Sequence, residues 1–167
     1  MNRYLVFFVP FVSIVTVGVG GRIWLDLNAG IPRGEVVDTE LAELDLAEPF
    51  VRVSGMAHYP VVIKQTVPGT LITADQTVWL WPLFEPHDTS SRGIRILVRA
   101  ARPPESLVSF EYMTLEGHLS PVTPEKVPFS TEIELGKRTE YWFTDDMLLL
   151  EAWRIESDGE VWELPAD

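Results

Sequence analysis

The sequence predicts a mainly β protein in which a small antiparallel barrel follows one N-terminal transmembrane helix. Three observations support this prediction. The first is a run without charged residues over residues 4–21, and the second is a period of two that begins at Phe50. The third is an acidic, turn-rich stretch between them. We therefore divide the chain into a transmembrane anchor (1–22), a tether (23–49) and a β-barrel domain (50–167).

The N-terminal run is long enough to cross a bilayer. Its 18 residues would rise about 27 Å as an α-helix, close to the hydrocarbon thickness of about 30 Å. Trp24, just past the run, can sit at the headgroup level. One alternative is a buried helix, which should show a polar face at this length. Another is a cleaved signal peptide, but the run is long for one and "VGVGGR" is a poor cleavage site. We predict an uncleaved signal anchor, with the lipid bilayer as the partner of residues 4–21.

The orientation of the anchor is less clearly encoded. Arg3 lies before the run, and Arg22 and Arg33 follow it, so the basic residues show no bias between the two sides. A short basic start followed by a long apolar run is typical of an export signal. We therefore expect a single-pass membrane protein whose body lies on the extracytoplasmic, periplasmic side. A body that faces inward stays open as the alternative.

The tether ends in the segment "EVVDTELAELDLAEPF", which carries six acidic residues and no basic one. Within it, Leu41, Leu44 and either Leu46 or Ala47 fit one side of a short amphipathic helical turn. Two interpretations follow. The tether is either a solvated spacer or a short helix that docks on the domain or on a partner.

The body alternates strand-like runs with turn signals such as "VPG", "RPPES" and "SDG". Gly55, inside the first run, predicts a bulge or a sharp bend. The long, bent first strand of an OB-like barrel would bend either at Gly55 or at the "AHYP" segment. Several strands at regular spacing within 118 residues favour a five-stranded OB-like barrel, with a small sandwich as the alternative. The predicted strands are "FVRVSGMAHYPVVIKQT", "VWLWPLF", "GIRILVRA", "LVSFEYMTLEGHL", "EYWF" with "DMLLLEAWRI", and "EVWEL".

Four short motifs follow one another between about residues 50 and 120: Val51-Arg52-Val53-Ser54-Gly55, Pro82-Leu83, Leu97-Val98-Arg99 and Leu115-Glu116-Gly117-His118-Leu119. Their order resembles that of the SURF1 family, membrane-anchored OB-like assembly factors for haem-copper oxidases. The resemblance implies an anchored OB-like fold and a role in assembling a membrane complex. Two departures separate the chain from that family. Ala100-Ala101 stand where the family has Gly-Trp, and "VWELPAD" stands where it has a second membrane helix.

Composition and motifs argue against several functions. The formal charge of −12 opposes nucleic acid, whose affinity comes mainly from Lys and Arg. The chain has no cysteine, which excludes disulfides and thiolate chemistry.

His58, His87 and His118 lie in separate segments without the close spacing of a metal site. His87 and Asp88 are adjacent, so on an extended chain they point apart and are better explained as a turn. No nucleophile elbow or phosphate loop is present. We predict no enzyme activity, no metal and no cofactor.

The segment "TVWLWPLF" presents two apolar faces. Trp79 and Trp81 share one face of the predicted strand, and Val78 and Leu80 share the other. Since both faces are apolar, one can be core while the other is covered by the tether, by the "EYWF" segment or by a partner. We predict that the tryptophan face is core. We predict that Val78 and Leu80, together with Trp24, bind a partner.

These features favour a single-pass membrane-anchored β-barrel accessory protein. It would assemble or stabilise a membrane protein complex through protein–protein contacts, and its partners would be membrane protein subunits. The alternative is a membrane-anchored carrier of a small molecule, with haem as one candidate.

Overall fold

The computed structural model describes most of the body and the end of the tether. The predicted anchor and Trp24 lie outside the described residues. Within the described ranges, no helix is long and apolar enough to cross a bilayer. These ranges are 34–58, 62–68, 75–87, 93–101, 110–124, 126–127 and 141–164.

The described residues form eight strands and one 3₁₀ turn. The predicted run "GIRILVRA" is the whole of one strand, whereas the first predicted run is divided between two strands. The elements are β1 (Val37–Asp38), a 3₁₀ turn (Leu41–Glu43), β2 (Phe50–His58), β3 (Ile63–Val67), β4 (Gln76–Phe84), β5 (Gly93–Ala100), β6 (Phe110–Pro121), β7 (Trp142–Ser157) and β8 (Glu160–Glu163).

Five of these strands close into a barrel. β2 pairs with β6 and also with β4, and the ring continues from β4 to β5, from β5 to β7 and from β7 back to β6. If these strands are numbered one to five along the chain, the order around the ring is 1-2-3-5-4-1. This is the five-stranded Greek-key barrel of the OB-fold. The prediction of a mainly β, OB-like body is confirmed.

The prediction that the barrel is entirely antiparallel was wrong. β5 and β7 run parallel, with Ile96 opposite Leu148 and Arg99 opposite Glu151. The reason is geometric: strands around a closed ring with an odd number of members cannot alternate direction at every step. One neighbouring pair must therefore be parallel.

The barrel interior and one part of its outer surface hold two separate apolar clusters. Trp81 is 0% exposed and lies in the interior cluster, against which Trp79 packs. The predicted core role of the tryptophan face agrees with this placement. Leu80 is also 0% exposed, but it lies in the outer cluster. The outer cluster consists of Ile63, Leu80, Phe84, Ile94, Leu97, Val127, Tyr141 and Leu149, with Val122, Phe143 and Met147 packed against it.

Gly55 permits a close approach between strands and is not the place of a bend. The first predicted run is interrupted later, since β2 ends at His58, within the alternative "AHYP" segment, and β3 begins at Ile63. β2 pairs with β6 in continuous register through this position. A Cβ atom at Gly55 would lie 2.7 Å from the Leu83 side chain and 2.8 Å from the Phe84 carbonyl oxygen. A side chain there would push β2 away from β4, so glycine is needed where the barrel closes. Register shifts lie elsewhere: between Ile94 and Ile96 in the pairing of β5 with β7, and where Glu116 and Gly117 of β6 face Arg154 and Ala152 of β7.

The end of the tether docks on the barrel. Leu44 is 1% exposed and belongs to the interior cluster together with Leu41, whereas Leu46 is 48% exposed. The Arg95 guanidinium donates hydrogen bonds to the carbonyl oxygens of Leu41 at 3.1 Å, Ala42 at 2.9 Å and Leu44 at 2.9 Å. Of the two interpretations of the tether, docking on the domain describes this stretch, and the turn is 3₁₀ rather than α-helical.

Candidate functional site

The outer surface over β4 and β5 corresponds to the usual ligand-binding surface of an OB-fold. OB-folds bind oligonucleotides and oligosaccharides over their second and third strands and the adjoining loops, and in this chain those strands are β4 and β5. Here the outer cluster occupies that surface. Val122, Val127 and Tyr141 of the β6–β7 connection pack there, together with Phe143 at the start of β7. The chain therefore covers this surface with its own residues.

This covering corrects one predicted site residue. Leu80 was expected on a partner surface, but it is fully buried beneath the chain's own residues. The "EYWF" segment supplies two of the covering side chains, Tyr141 and Phe143, which was one of the alternatives drawn from the sequence. Val78 is half-buried, and its role stays a prediction. Trp24 lies outside the described residues.

A partly buried carboxylate ties the β6–β7 connection to the barrel. Glu151, whose side chain is 15% exposed, accepts hydrogen bonds from Lys126 Nζ at 2.6 Å and from Arg99 Nη1 at 2.9 Å. Lys126 also donates to Ser120 Oγ at 3.1 Å. Burial raises the pKa of Glu151, but the hydrogen bond and charge of Lys126 and the charge of Arg99 outweigh it, so the pKa is lowered overall. Glu151 is thus held ionised as a structural anchor.

A Tyr–His pair makes a second attachment of the same connection. The Tyr141 hydroxyl lies 2.8 Å from His58 Nδ1. The His58 ring stacks on Phe110 with a centroid separation of 4.2 Å, and the Tyr141 ring also packs against Phe84. These contacts hold Tyr141 over the end of β2, where the barrel closes against β4.

The three histidines are not brought together. His58 and His118 lie at opposite ends of the β2–β6 pairing, opposite Phe110 and Phe50. That is eight residues of strand apart, or about 26 Å at the rise of a strand. His87 is exposed in the turn after β4, as predicted for a turn residue. In the part of the chain that the structure describes, no group of three His, Cys, Asp or Glu could hold a metal ion.

Charges alternate in sign in one row across the outside of the barrel. In order, the row consists of Asp38, Arg52, Glu116, Arg154 and Glu163, one residue on each of five neighbouring strands. Within the described ranges, five of the six Lys and Arg side chains pair with carboxylates of this chain, and the sixth, Lys64, lies 5.7 Å from the centre of the Trp79 ring. The protein's own carboxylates thus occupy most of its described cations.

A groove opens where β2 changes partners along one edge. β1 pairs with β2 as far as Arg52, and β4 pairs with it from Met56 onward. Between these points Ser54 and Thr114 line the groove, with their hydroxyl oxygens 2.8 Å apart. The volume is about 670 Å³, within the usual range of ligand sites. The tether groove, as we call it, is lined by Asp38, Thr39, Glu40, Leu41, Ala42, Arg52, Ser54, Glu85, Pro86, His87 and Thr114.

The tether groove carries a negative balance of charge. Three carboxylates line it, from Asp38, Glu40 and Glu85, against the single guanidinium of Arg52. That guanidinium also lies 3.8 Å from Glu116 and 3.5 Å from Glu156, so it is largely neutralised. The groove therefore suits a partner group that carries positive charge and can hydrogen bond to hydroxyls.

Sequence reasoning did not find the tether groove. Its lining comes from four segments: the tether, β2, the turn after β4 and β6. No motif links these segments along the chain. The acidic tether was the one available signal, because its charges required a location on the surface.

Comparison with known proteins adds little to these observations. No family model matches the chain, and no characterised protein has a matching sequence. The proposed resemblance to the SURF1 family therefore has no support from them. The solution NMR structure of the OB domain of Ta0387 from Thermoplasma acidophilum is similar, with 13% identity and a TM-score of 0.43 over 80% of this chain and 94% of that chain. The assignment of the fold depends on the strand pairing rather than on this likeness.

Proposed function

We propose that this protein is a single-pass membrane-anchored accessory protein that assembles or stabilises a membrane protein complex. Residues 4–21 would hold the chain in the bilayer, and the OB-like barrel would bind a protein partner on the extracytoplasmic side. The uncharged N-terminal run supports the anchor. The barrel itself offers a surface for contacts, whereas the usual OB ligand surface is covered by the chain.

The tether groove is the observation that carries the proposed partner binding. It has the volume of a binding site, and its three carboxylates exceed its cations. A segment of a partner protein that carries Lys or Arg would complement it, and the hydroxyls of Ser54 and Thr114 would accept hydrogen bonds from that segment. Because the tether forms one wall, the groove would lie near the membrane end of the body.

The anchor is tested by fractionation of the native membrane. We expect the intact chain to start at Met1 or Asn2 and to stay with the membrane through carbonate washing. A soluble form that begins near Arg22 would show cleavage instead. Protease added to intact spheroplasts should degrade the body if it is extracytoplasmic, and a fully protected body would contradict that orientation.

Partner binding is tested with a matched pair of charge reversals. The intact chain is purified from its native membrane in mild detergent, and membrane subunits that co-purify in constant ratio are measured. Glu85→Lys, in the groove, should abolish their recovery. Glu160→Lys, at an exposed position of β8, should leave it unchanged. Equal recovery with both variants would rule out the groove, and a bound chromophore without subunits would favour the small-molecule carrier.

A further inference from the structure

The end of the tether, residues 38–44, forms a wall of the tether groove and also inserts into the barrel. Five of the eleven described residues that line the groove are residues 38–42, and Leu41 and Leu44 belong to the interior cluster. If this end undocked, the groove would lose its wall. We propose that the tether end docks reversibly, that the groove forms only in the docked state, and that Arg95 positions its wall. This inference rests on the proposed partner binding at the groove.

The described contacts of the tether end are few. β1 pairs with β2 through two residues, and the Thr39 N–H donates to the Arg52 carbonyl oxygen at 3.0 Å. Between residues 38 and 48, Leu41 and Leu44 are the buried side chains. Segments with few buried apolar contacts open locally while the rest of a domain stays folded. The tether end therefore has the features of a segment that opens before the barrel does.

Arg95 acts on the groove from outside it. Its guanidinium donates hydrogen bonds to the carbonyl oxygens of Leu41 and Ala42, which both line the groove, and to that of Leu44. Asp146 pairs with Arg95 at 3.1 Å and orients it, whereas Arg95 itself does not line the groove. Arg95 is therefore a positioning residue. It sets the affinity of the groove through the fraction of chains that are docked.

Docking and partner binding are then linked. A partner that binds only the docked state stabilises that state, by a factor of one plus the ratio of its concentration to its Kd. Undocking in turn lowers the apparent affinity in proportion to the docked fraction, because such coupling is reciprocal. A bound cationic segment should slow undocking, and a variant that undocks more should bind that segment more weakly.

Thiol labelling can measure undocking, because the chain has no native cysteine. Leu44→Cys reports docking, since Leu44 is 1% exposed and does not line the groove, where a partner would shield it directly. Ala152→Cys, at a 1% exposed interior position, reports unfolding of the barrel. In the full-length chain in detergent, a maleimide at low concentration should label Leu44→Cys faster than Ala152→Cys. Arg95→Ala should accelerate the labelling of Leu44→Cys by at least about tenfold, the effect of losing one hydrogen bond to a charged group.

A fluorescein-labelled peptide, Gly-Lys-Gly-Lys-Gly, serves as the probe for the groove. Its Kd is measured by fluorescence anisotropy at low ionic strength. At ten times this Kd, the peptide should slow the labelling of Leu44→Cys about elevenfold. When Glu85→Lys is added to Leu44→Cys, the peptide should have no such effect, because Glu85 lines the groove but lies outside the tether. Arg95→Ala should bind the peptide more weakly, by the ratio of docked fractions that the labelling rates give.

The possible failures have different meanings. Labelling of Leu44→Cys as slow as that of Ala152→Cys would overturn reversible docking, and an unchanged rate in Arg95→Ala would overturn the role of Arg95. A peptide that binds without slowing the labelling would overturn the coupling and leave the proposed function standing. A peptide that does not bind the native chain would overturn the groove as a site for a cationic segment, and this inference with it.

Discussion

Leu80 and Trp81 are consecutive residues of β4, and each side chain is fully buried in a different apolar cluster. Trp81 points into the barrel, whereas Leu80 points outward beneath the β6–β7 connection. Successive side chains of a strand point to opposite faces, so the chain covers β4 on both sides. Both faces of this strand therefore contribute to folding.

Truncation of either residue should destabilise the protein. We expect Trp81→Ala to lower the free energy of unfolding by about 3–5 kcal/mol and Leu80→Ala by about 2–5 kcal/mol, since both leave cavities. Typical domains are stable by only about 5–15 kcal/mol. The measurement is urea unfolding followed by circular dichroism. Val161→Ala, at an exposed position, is the control and should change stability by less than about 0.5 kcal/mol. If Leu80→Ala behaves like this control, the outer cluster is not packed in solution.

Removal of the Glu151 charge should loosen the β6–β7 connection. Glu151→Gln keeps the shape of the side chain but takes the carboxylate away from Lys126 and Arg99. Hydrogen bonds to charged groups are worth about 1.5–3 kcal/mol each, so we expect a loss of this order. Hydrogen exchange should show faster opening at Val127 and Tyr141. Unchanged exchange at both positions would mean that the apolar contacts hold the connection without this carboxylate.

Glu151 should also make stability depend on pH. Its pKa is lowered in the folded protein. At pH values between the folded and the unfolded pKa, the unfolded chain therefore binds more protons at this group than the folded one. Its stabilisation is therefore complete above the unfolded pKa of a glutamate and is lost as the pH falls through the folded pKa. Unfolding free energies measured from neutral pH into acid should fall more steeply for the native chain than for Glu151→Gln. Glu160→Gln, on exposed β8, should retain the native slope, and parallel curves for all three proteins would contradict this assignment.

Arg95 should control the docking of the tether. Arg95→Ala removes the donor to three carbonyl oxygens and the pairing with Asp146 at 3.1 Å. We expect faster cleavage at Glu43 by a glutamate-specific protease, because Leu44 would leave the barrel more often. The measurement is the cleavage rate under native conditions, with Lys64→Ala on β3 as the control. Equal rates for the two variants would show that burial of Leu41 and Leu44 suffices to hold the tether.

Closure of the barrel should be destabilised when Gly55 gains a side chain. In Gly55→Ala the new Cβ would lie 2.8 Å from the Phe84 carbonyl oxygen, a backbone atom that cannot move alone. Overpacking of this kind costs about 1–3 kcal/mol, which thermal unfolding would detect. The control is Gly159→Asn in the β7–β8 turn, where φ is +81° and no atom lies within 4 Å of a new Cβ. Asn tolerates such a backbone, so the control should unfold close to the native temperature, and a matching Gly55→Ala curve would contradict the clash.

The strands could be predicted because alternation is a local property of the sequence. The buried Val51, Val53 and Ala57 alternate along β2 with the less buried Arg52 and Ser54, and the number of such runs favoured a five-stranded barrel. The parallel pairing of β5 with β7 could not be read from those runs. It depends on which strands become neighbours when the ring closes.

By itself, the sequence determined the strands, the acidic balance of charge and the two apolar faces of β4. The prediction of the anchor also depends on the sequence alone. Only the tertiary structure decided that the β6–β7 connection covers Leu80, that Leu44 enters the barrel and that Ser54, Glu85 and Thr114 line one groove. These arrangements join segments that lie tens of residues apart along the chain. Local periodicity shows that a face must be buried, but the choice of what buries it is made by the packing of distant segments.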